Sequence, residues 1–181
     1  AQEAFFDRDW SRIRGSVLRA RAKQMARAAM GHSPAIFKAI RDGGTNNKAQ
    51  LRNQLEYLTT KSSVIIDSRG TYDGQSVLSV KEIEQVTRRF AAQWNEGFHP
   101  KLGHTSHLLM AFPIGARGED VAEITREICE WSFQGEGSHF DYIAAVHEDR
   151  DHPHAHIVLN RRSKDGEFFF LKEGHHFNYD S

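Results

Sequence analysis

Three histidines stand at 147, 154 and 156 in the run His147-Glu148-Asp149-Arg150-Asp151-His152-Pro153-His154-Ala155-His156-Ile157-Val158-Leu159-Asn160. Side chains alternate across a strand, so His154 and His156 share a face with Val158 and Asn160. Ala155, Ile157 and Leu159 take the other face, towards a core. If 148–153 is a hairpin loop, His147 ends the preceding strand and lies opposite His154. Directly opposed Cβ atoms stand about 4.5–5.5 Å apart, so three imidazoles then converge. Three histidines with an open position suit a catalytic metal, since water or substrate fills the vacancy. Imidazoles favour Zn, Mn, Fe, Ni or Cu, while the acids keep Mg and Mn in play. Asp149 and Asp151 can orient an imidazole or accept a proton. His152, before Pro153, is expected outside the ligand set. The plainer alternative is a solvated, His-rich hairpin.

Four tyrosines can supply a nucleophile: Tyr57, Tyr72, Tyr142 and Tyr179. Leu51, Leu55 and Leu58 span roughly 60° of a helix, and Tyr57 lies about 120° from their centre, off the core. Tyr142 shares a strand face with Phe140 and reads as core. Tyr72 sits in a turn. Tyr57 therefore ranks first.

Positioning these residues requires a layered frame. Helical spacing predicts helices over 8–30, 34–41, 47–59, 80–95 and 118–133. Ser79 and Glu82 form a capping-box pattern at the start of the fourth. Strands are predicted over 63–67, 106–112, 140–147, 154–161 and, after the Lys164-Asp165-Gly166 turn, 167–171. The result is an α+β domain: an antiparallel sheet with helices mainly on one face. A loop at Asp42-Gly43-Gly44 sets a soft boundary, with a helical extension over 1–44 and the main domain over 45–181.

The 181 residues suffice for one core-forming domain, and no apolar run approaches a membrane span. The single Cys129 leaves no internal disulfide framework and suits a reducing compartment. Net charge is zero, yet residues 1–42 hold nine Lys/Arg against four Asp/Glu, as a basic arm would. Seven of the eleven histidines fall within 139–181, which marks that region for metal or acid–base chemistry.

The run His147-x-Asp149-x-x-His152-Pro153-His154-x-His156-Ile157-Val158-x-Asn160-Arg161 resembles the third motif of plasmid-mobilisation relaxases, members of the HUH endonuclease superfamily. Asn53-Gln54-Leu55-Glu56-Tyr57-Leu58 resembles their first motif, and His107-Leu108-Leu109-Met110-Ala111-Phe112-Pro113 their second. The match is to the single-tyrosine class that includes the T-DNA border endonuclease of Ti plasmids. It covers roughly 47–181. Ala111 stands where the second motif often has Ser, a position linked to DNA beside the nick.

The resemblance implies an approximately five-stranded antiparallel sheet with the His-x-His strand near its centre. It implies nicking and rejoining of DNA at an origin of transfer, in conjugation. Tyr57 would attack and Asp149 accept its proton, with His147, His154 and His156 holding a divalent ion, Mg or Mn first and Zn or Ni as alternatives. Asn160, Arg161, Arg162, Lys164 and Lys172 would contact DNA, with His107, Asp151 and His152 as secondary candidates. Partners would be single-stranded or hairpin DNA, accessory nicking proteins and a type IV secretion coupling protein. The setting would be bacterial cytoplasm, with export on the DNA, and further chain beyond the C-terminus is expected. Competing readings are a replication initiator or transposase of the same superfamily, a three-His metalloenzyme acting on a small molecule, and a DNA-binding module without catalysis.

Overall fold

The computed structural model describes residues 36–134, 139–149 and 151–169. The expected helix over 8–30, together with Lys172 and Tyr179, lies outside them. Along the described chain run β1 (Ile36–Ala39), α1 (Lys48–Thr59), β2 (Val64–Asp67), α2 (Val80–Ala91), β3 (Thr105–Ala111), α3 (Gly118–Phe133), β4 (Tyr142–His147) and β5 (His154–Asn160). The strands form one antiparallel sheet in the order β1-β3-β5-β4-β2, which puts the His-x-His strand in the middle.

Two of the three described helices start at a side-chain cap. Asn47 accepts from the Gln50 N–H and begins α1. Ser79 and Glu82 close the expected capping box on α2. α3 has no side-chain cap, but Glu119 and Asp120 in its first turn complement the helix dipole.

The strand alternation sorts the core into two halves. On one face, Val121, Ile124, Ile128 and Phe133 of α3 pack on Leu108, Met110, Tyr142, Ala144, Ala155, Ile157 and Leu159. On the other, Leu51, Leu55 and Leu58 of α1 and Ile83, Val86 and Phe90 of α2 pack on Ile65, Ile143, Ala145 and Val158. Two of the three helices thus share the second face.

Two expectations are corrected. Within the helix expected over 34–41, Ile36–Ala39 is instead an edge strand paired with Leu108–Ala111 of β3. The sheet thereby takes in residues on both sides of the expected boundary at 44. The hairpin after β5 shows, among the described residues, only an isolated bridge between Arg162 and Phe168 rather than a strand.

Candidate active site

The β4–β5 register pairs His147 with His154 and Ala145 with His156, so the hairpin closes as the spacing required. The β3–β5 register pairs Leu109 with His156 and Ala111 with His154. By alternation His107, Leu109 and Ala111 join His147, His154 and His156 on one face, that of α1 and α2. All four histidines are half-buried. His156 is their hub: its ring centroid lies 4.4 Å from that of His147, 5.1 Å from His107 and 6.4 Å from His154. His107 Nε2 and His156 Nδ1 are hydrogen-bonded at 2.9 Å.

His147 reaches across to α1, where its Nε2–H donates to the Leu58 carbonyl at 2.7 Å. That contact brings the helix end carrying Tyr57 beside the histidines. Tyr57 is 78% exposed, as expected for a side chain off the leucine stripe. Tyr142 is fully buried, its hydroxyl on Glu130, and burial pushes its phenol well above the usual range. Tyr72 is also buried, bonded to Gln85, and burial raises its phenol. Among the described residues Tyr57 is therefore the tyrosine placed to meet a substrate.

The remaining candidates scatter. Asp149, Asp151 and His152 are exposed in the hairpin loop, and no hydrogen bond ties Asp149 to a histidine among the described residues. Lys164 is exposed in the turn after β5. Arg161 is buried and donates to the carbonyls of Phe169 and Gly103, so its guanidinium ties two loops together. Arg162 is buried as well, over the rings of Phe98 and Phe168 and bonded to the Gly166 carbonyl. Both follow the far end of β5, roughly 23 Å along the strand from His154. Asn160 is fully buried; it accepts from Trp94 Nε1–H at 2.9 Å and donates to the Phe90 carbonyl at 3.1 Å. It ties β5 to α2.

Sequence reasoning missed the Leu58 carbonyl and the His107–His156 bond. Neither leaves a local signal. One is a backbone group, and the other depends on β3 pairing with β5 rather than with its neighbours in the chain.

By donor chemistry the histidines fit a divalent ion. Ligating imidazoles usually commit their second nitrogen to a carbonyl or another acceptor, and His147 and His156 each have one ring nitrogen so engaged. Among the described residues no group of three His, Cys, Asp or Glu side chains is already closed for coordination. The convergence expected from the hairpin is thus a shared face, with ring rotation still needed to make a chelate.

The structure thus sets paired histidines on the central strand of an antiparallel sheet, with an exposed tyrosine on a helix that packs on the same face. Residues 57–176 match the family described as "Relaxase: MobA/VirD2-like, nuclease domain", and the chain belongs to that family. It is 31% identical over 159 residues to the T-DNA border endonuclease VirD2 of Rhizobium rhizogenes, covering 81% of this chain and 36% of that protein. It is 29% identical to the T-DNA border endonuclease VirD2 of Rhizobium radiobacter, over 80% of this chain and 36% of the relative. For that of Agrobacterium fabrum the values are 30%, 81% and 35%. The chain therefore spans about a third of the length of these relatives. No solved structure matches it. No described helix is long and apolar enough to cross a membrane.

Proposed function

We propose that the chain nicks and rejoins one DNA strand through Tyr57, at an origin of transfer. The observation that supports this reading is the 2.7 Å bond from His147 to the carbonyl of Leu58, the residue after the exposed Tyr57. Tyr57 Oη attacks the scissile phosphorus. The bond from phosphorus to the 3′ oxygen breaks, leaving a 5′-phosphotyrosine and a 3′-hydroxyl. The phenol proton passes to Asp149, directly or through a histidine. Because the phosphodiester energy is kept in the new linkage, the reverse reaction rejoins a strand.

His147, His154 and His156 would hold the divalent ion, Mg or Mn with Zn or Ni as alternatives. The ion would polarise the phosphate and stabilise charge developing on its oxygens. The histidines' own task is to fix the phosphate against Tyr57 and shield the reacting atoms from water. The DNA is single-stranded or an extruded hairpin. Residues 1–35, with seven Lys/Arg and three Asp/Glu, would add phosphate contacts; their removal should weaken binding and flatten its salt dependence. Accessory nicking proteins, a type IV secretion coupling protein and passage on DNA from the cytoplasm into a recipient belong to the same reading.

The test is direct. The chain is incubated with Mn2+ and single-stranded origin DNA and run on a denaturing gel. A covalent adduct is expected, absent in Tyr57→Phe while DNA binding persists. An adduct that survives Tyr57→Phe refutes the assignment.

A further inference from the structure

We propose that a cleft between the β1–α1 loop and β3 holds one unstacked base of the substrate strand, and that the Ser106 hydroxyl reads it. The proposal rests on the proposed function, which makes the substrate a DNA strand. β1 ends at Ala39, and the chain after it runs on beside β3. That segment is bonded at both ends: Ile40 N–H donates to the His107 carbonyl at 2.9 Å, and the Thr45 carbonyl accepts from His104 N–H at 2.7 Å. Between these points it arches. Asp42 takes a left-handed backbone, with φ 58°, and Gly43 N–H turns back to the Ile40 carbonyl at 3.2 Å. Gln54 Nε2–H of α1 holds the arch through the Gly43 carbonyl at 2.8 Å, one turn before Tyr57. Gly44 passes so close to the next loop that a Cβ would meet the Leu102 carbonyl oxygen at 2.1 Å. The space enclosed by the arch is a cleft of about 210 Å3.

Ile40 and Leu102 give the cleft apolar walls, and Asp42, Asn46, Lys101 and Ser106 give it polar ones. Ser106 is 4% exposed, and its Oγ has no hydrogen-bond partner among the described residues. The hydroxyls beside it differ, since those of Thr105 and Thr45 bond to each other. A buried hydroxyl without a partner is costly, and a ligand that bonds it removes that cost. The lining defines the ligand. One ammonium and one carboxylate offset each other, so the cleft does not select an anion such as phosphate. Its volume is below the roughly 300–1,000 Å3 of pockets for larger small molecules. A flat ring system with a hydrogen-bonding edge suits apolar walls and a polar hydroxyl, and an unpaired strand supplies such groups once its bases unstack. His107 also lines the cleft and its ring bonds that of His156, so the bound base lies near the scissile phosphate.

The experiment compares Tyr57→Phe, which binds DNA without nicking it, with the same chain carrying Ser106→Ala. The probes are the single-stranded origin oligonucleotide and copies of it, each with one base replaced by an abasic sugar. For Tyr57→Phe, affinity should fall about 5–150-fold for the copy that lacks the base entering the cleft. Ser106→Ala should weaken the intact oligonucleotide roughly 2–10-fold and leave its affinity for that one copy unchanged. Because it removes a buried hydroxyl without a partner, it should leave Tm unchanged or raise it. An abasic profile with no such position overturns the proposal, as does a profile that Ser106→Ala scales equally at every position. A lower Tm in Ser106→Ala makes the hydroxyl a structural bond and also overturns it. Titration with the four free deoxynucleosides separates the sources: weak binding of all four is expected, and tight binding of one beside a flat abasic profile makes the cleft a site for a free nucleoside instead. If the profile behaves as expected but wild type forms no Tyr57 adduct, the proposed function fails and the base cleft stands.

Discussion

His147 has two duties that one substitution can separate. α1 ends at Thr59, and carbonyls in a final helical turn lack intrahelical partners. α1 has no basic residue in that turn to serve them. The Leu58 carbonyl receives its proton instead from His147 Nε2 on β4, at 2.7 Å. A net intramolecular hydrogen bond contributes about 0.5–1.5 kcal/mol. Adding a little lost packing from a half-buried ring, His147→Ala should cost roughly 1–2 kcal/mol, or about 3–6 °C in Tm at this chain length. His147→Gln puts an amide N–H where Nε2–H was, so it should retain all but about 0.5 kcal/mol. Neither variant keeps the imidazole, so both should lose Mn2+ affinity and adduct formation with origin DNA. Urea unfolding gives the first quantity, and titration with gel-resolved adduct gives the second. A Gln chain that unfolds with the Ala chain shows that the Leu58 bond contributes nothing. A Gln chain that forms adduct at the wild-type rate removes His147 from the reacting machinery.

Three further outcomes are expected. Asn160→Ala deletes the bonds to Trp94 and Phe90 and should cost about 2–3 kcal/mol, while leaving the DNA affinity of the folded chain unchanged; a stable variant with weakened DNA binding would restore Asn160 as a DNA contact. Burial alone would raise the Asp141 carboxyl, but the paired hydrogen bonds and charge of Arg69, with Arg89 and Gln93, hold it below its usual range. A depressed carboxylate contributes stability above its unfolded pKa near 4 and loses it as pH falls through the lower folded value. Arg69→Leu should therefore destabilise near pH 7 and hardly at all near pH 2; an equal loss at both, by chemical denaturation, refutes the linkage. Ala111 lies directly opposite His154, so Ala111→Ser adds a hydroxyl beside the site and should change the affinity for nicked-end DNA without moving Tm. A shift in Tm with no change in affinity would make the position a packing one.

The histidine face was readable because it needs only local rules. A period of two placed His154 and His156 together, and a six-residue loop set His147 opposite His154. The helix of Tyr57 was readable for the same reason, since Leu51, Leu55 and Leu58 mark the side that must be buried. β1 was not. Ile36-Phe37-Lys38-Ala39 has no alternation, and a four-residue edge strand owes its state to pairing with β3, which no local pattern records. The burial of Arg161 and Arg162 was not legible either, because it depends on loops that meet them only in the fold. A strand carries its residues away from a site at about 3.3 Å each; Arg161 bonds two loop carbonyls, and Arg162 bonds one and lies over two rings. His107 was visible as a residue but not as a partner, because β3 and β5 lie far apart in the chain.

The face that bears the site is held open and closed by one device used twice. Along β5 the inward series is His154, His156, Val158, Asn160. Its second half is covered: Val158 packs under the helices, and Asn160 donates to the Phe90 carbonyl near the end of α2. Its first half borders α1, whose end is caught when His147 donates to the Leu58 carbonyl. In both cases a strand side chain donates to a carbonyl in a helix's final turns, and the Phe90 carbonyl also accepts from Gln93 N–H at 3.1 Å. Hydrophobic packing from the leucine and phenylalanine stripes supplies attraction but little direction, since it is proportional to area. The two hydrogen bonds supply the direction. They tie α2 to the end of β5 and the end of α1 to His147, with Tyr57 exposed outside the apolar contact.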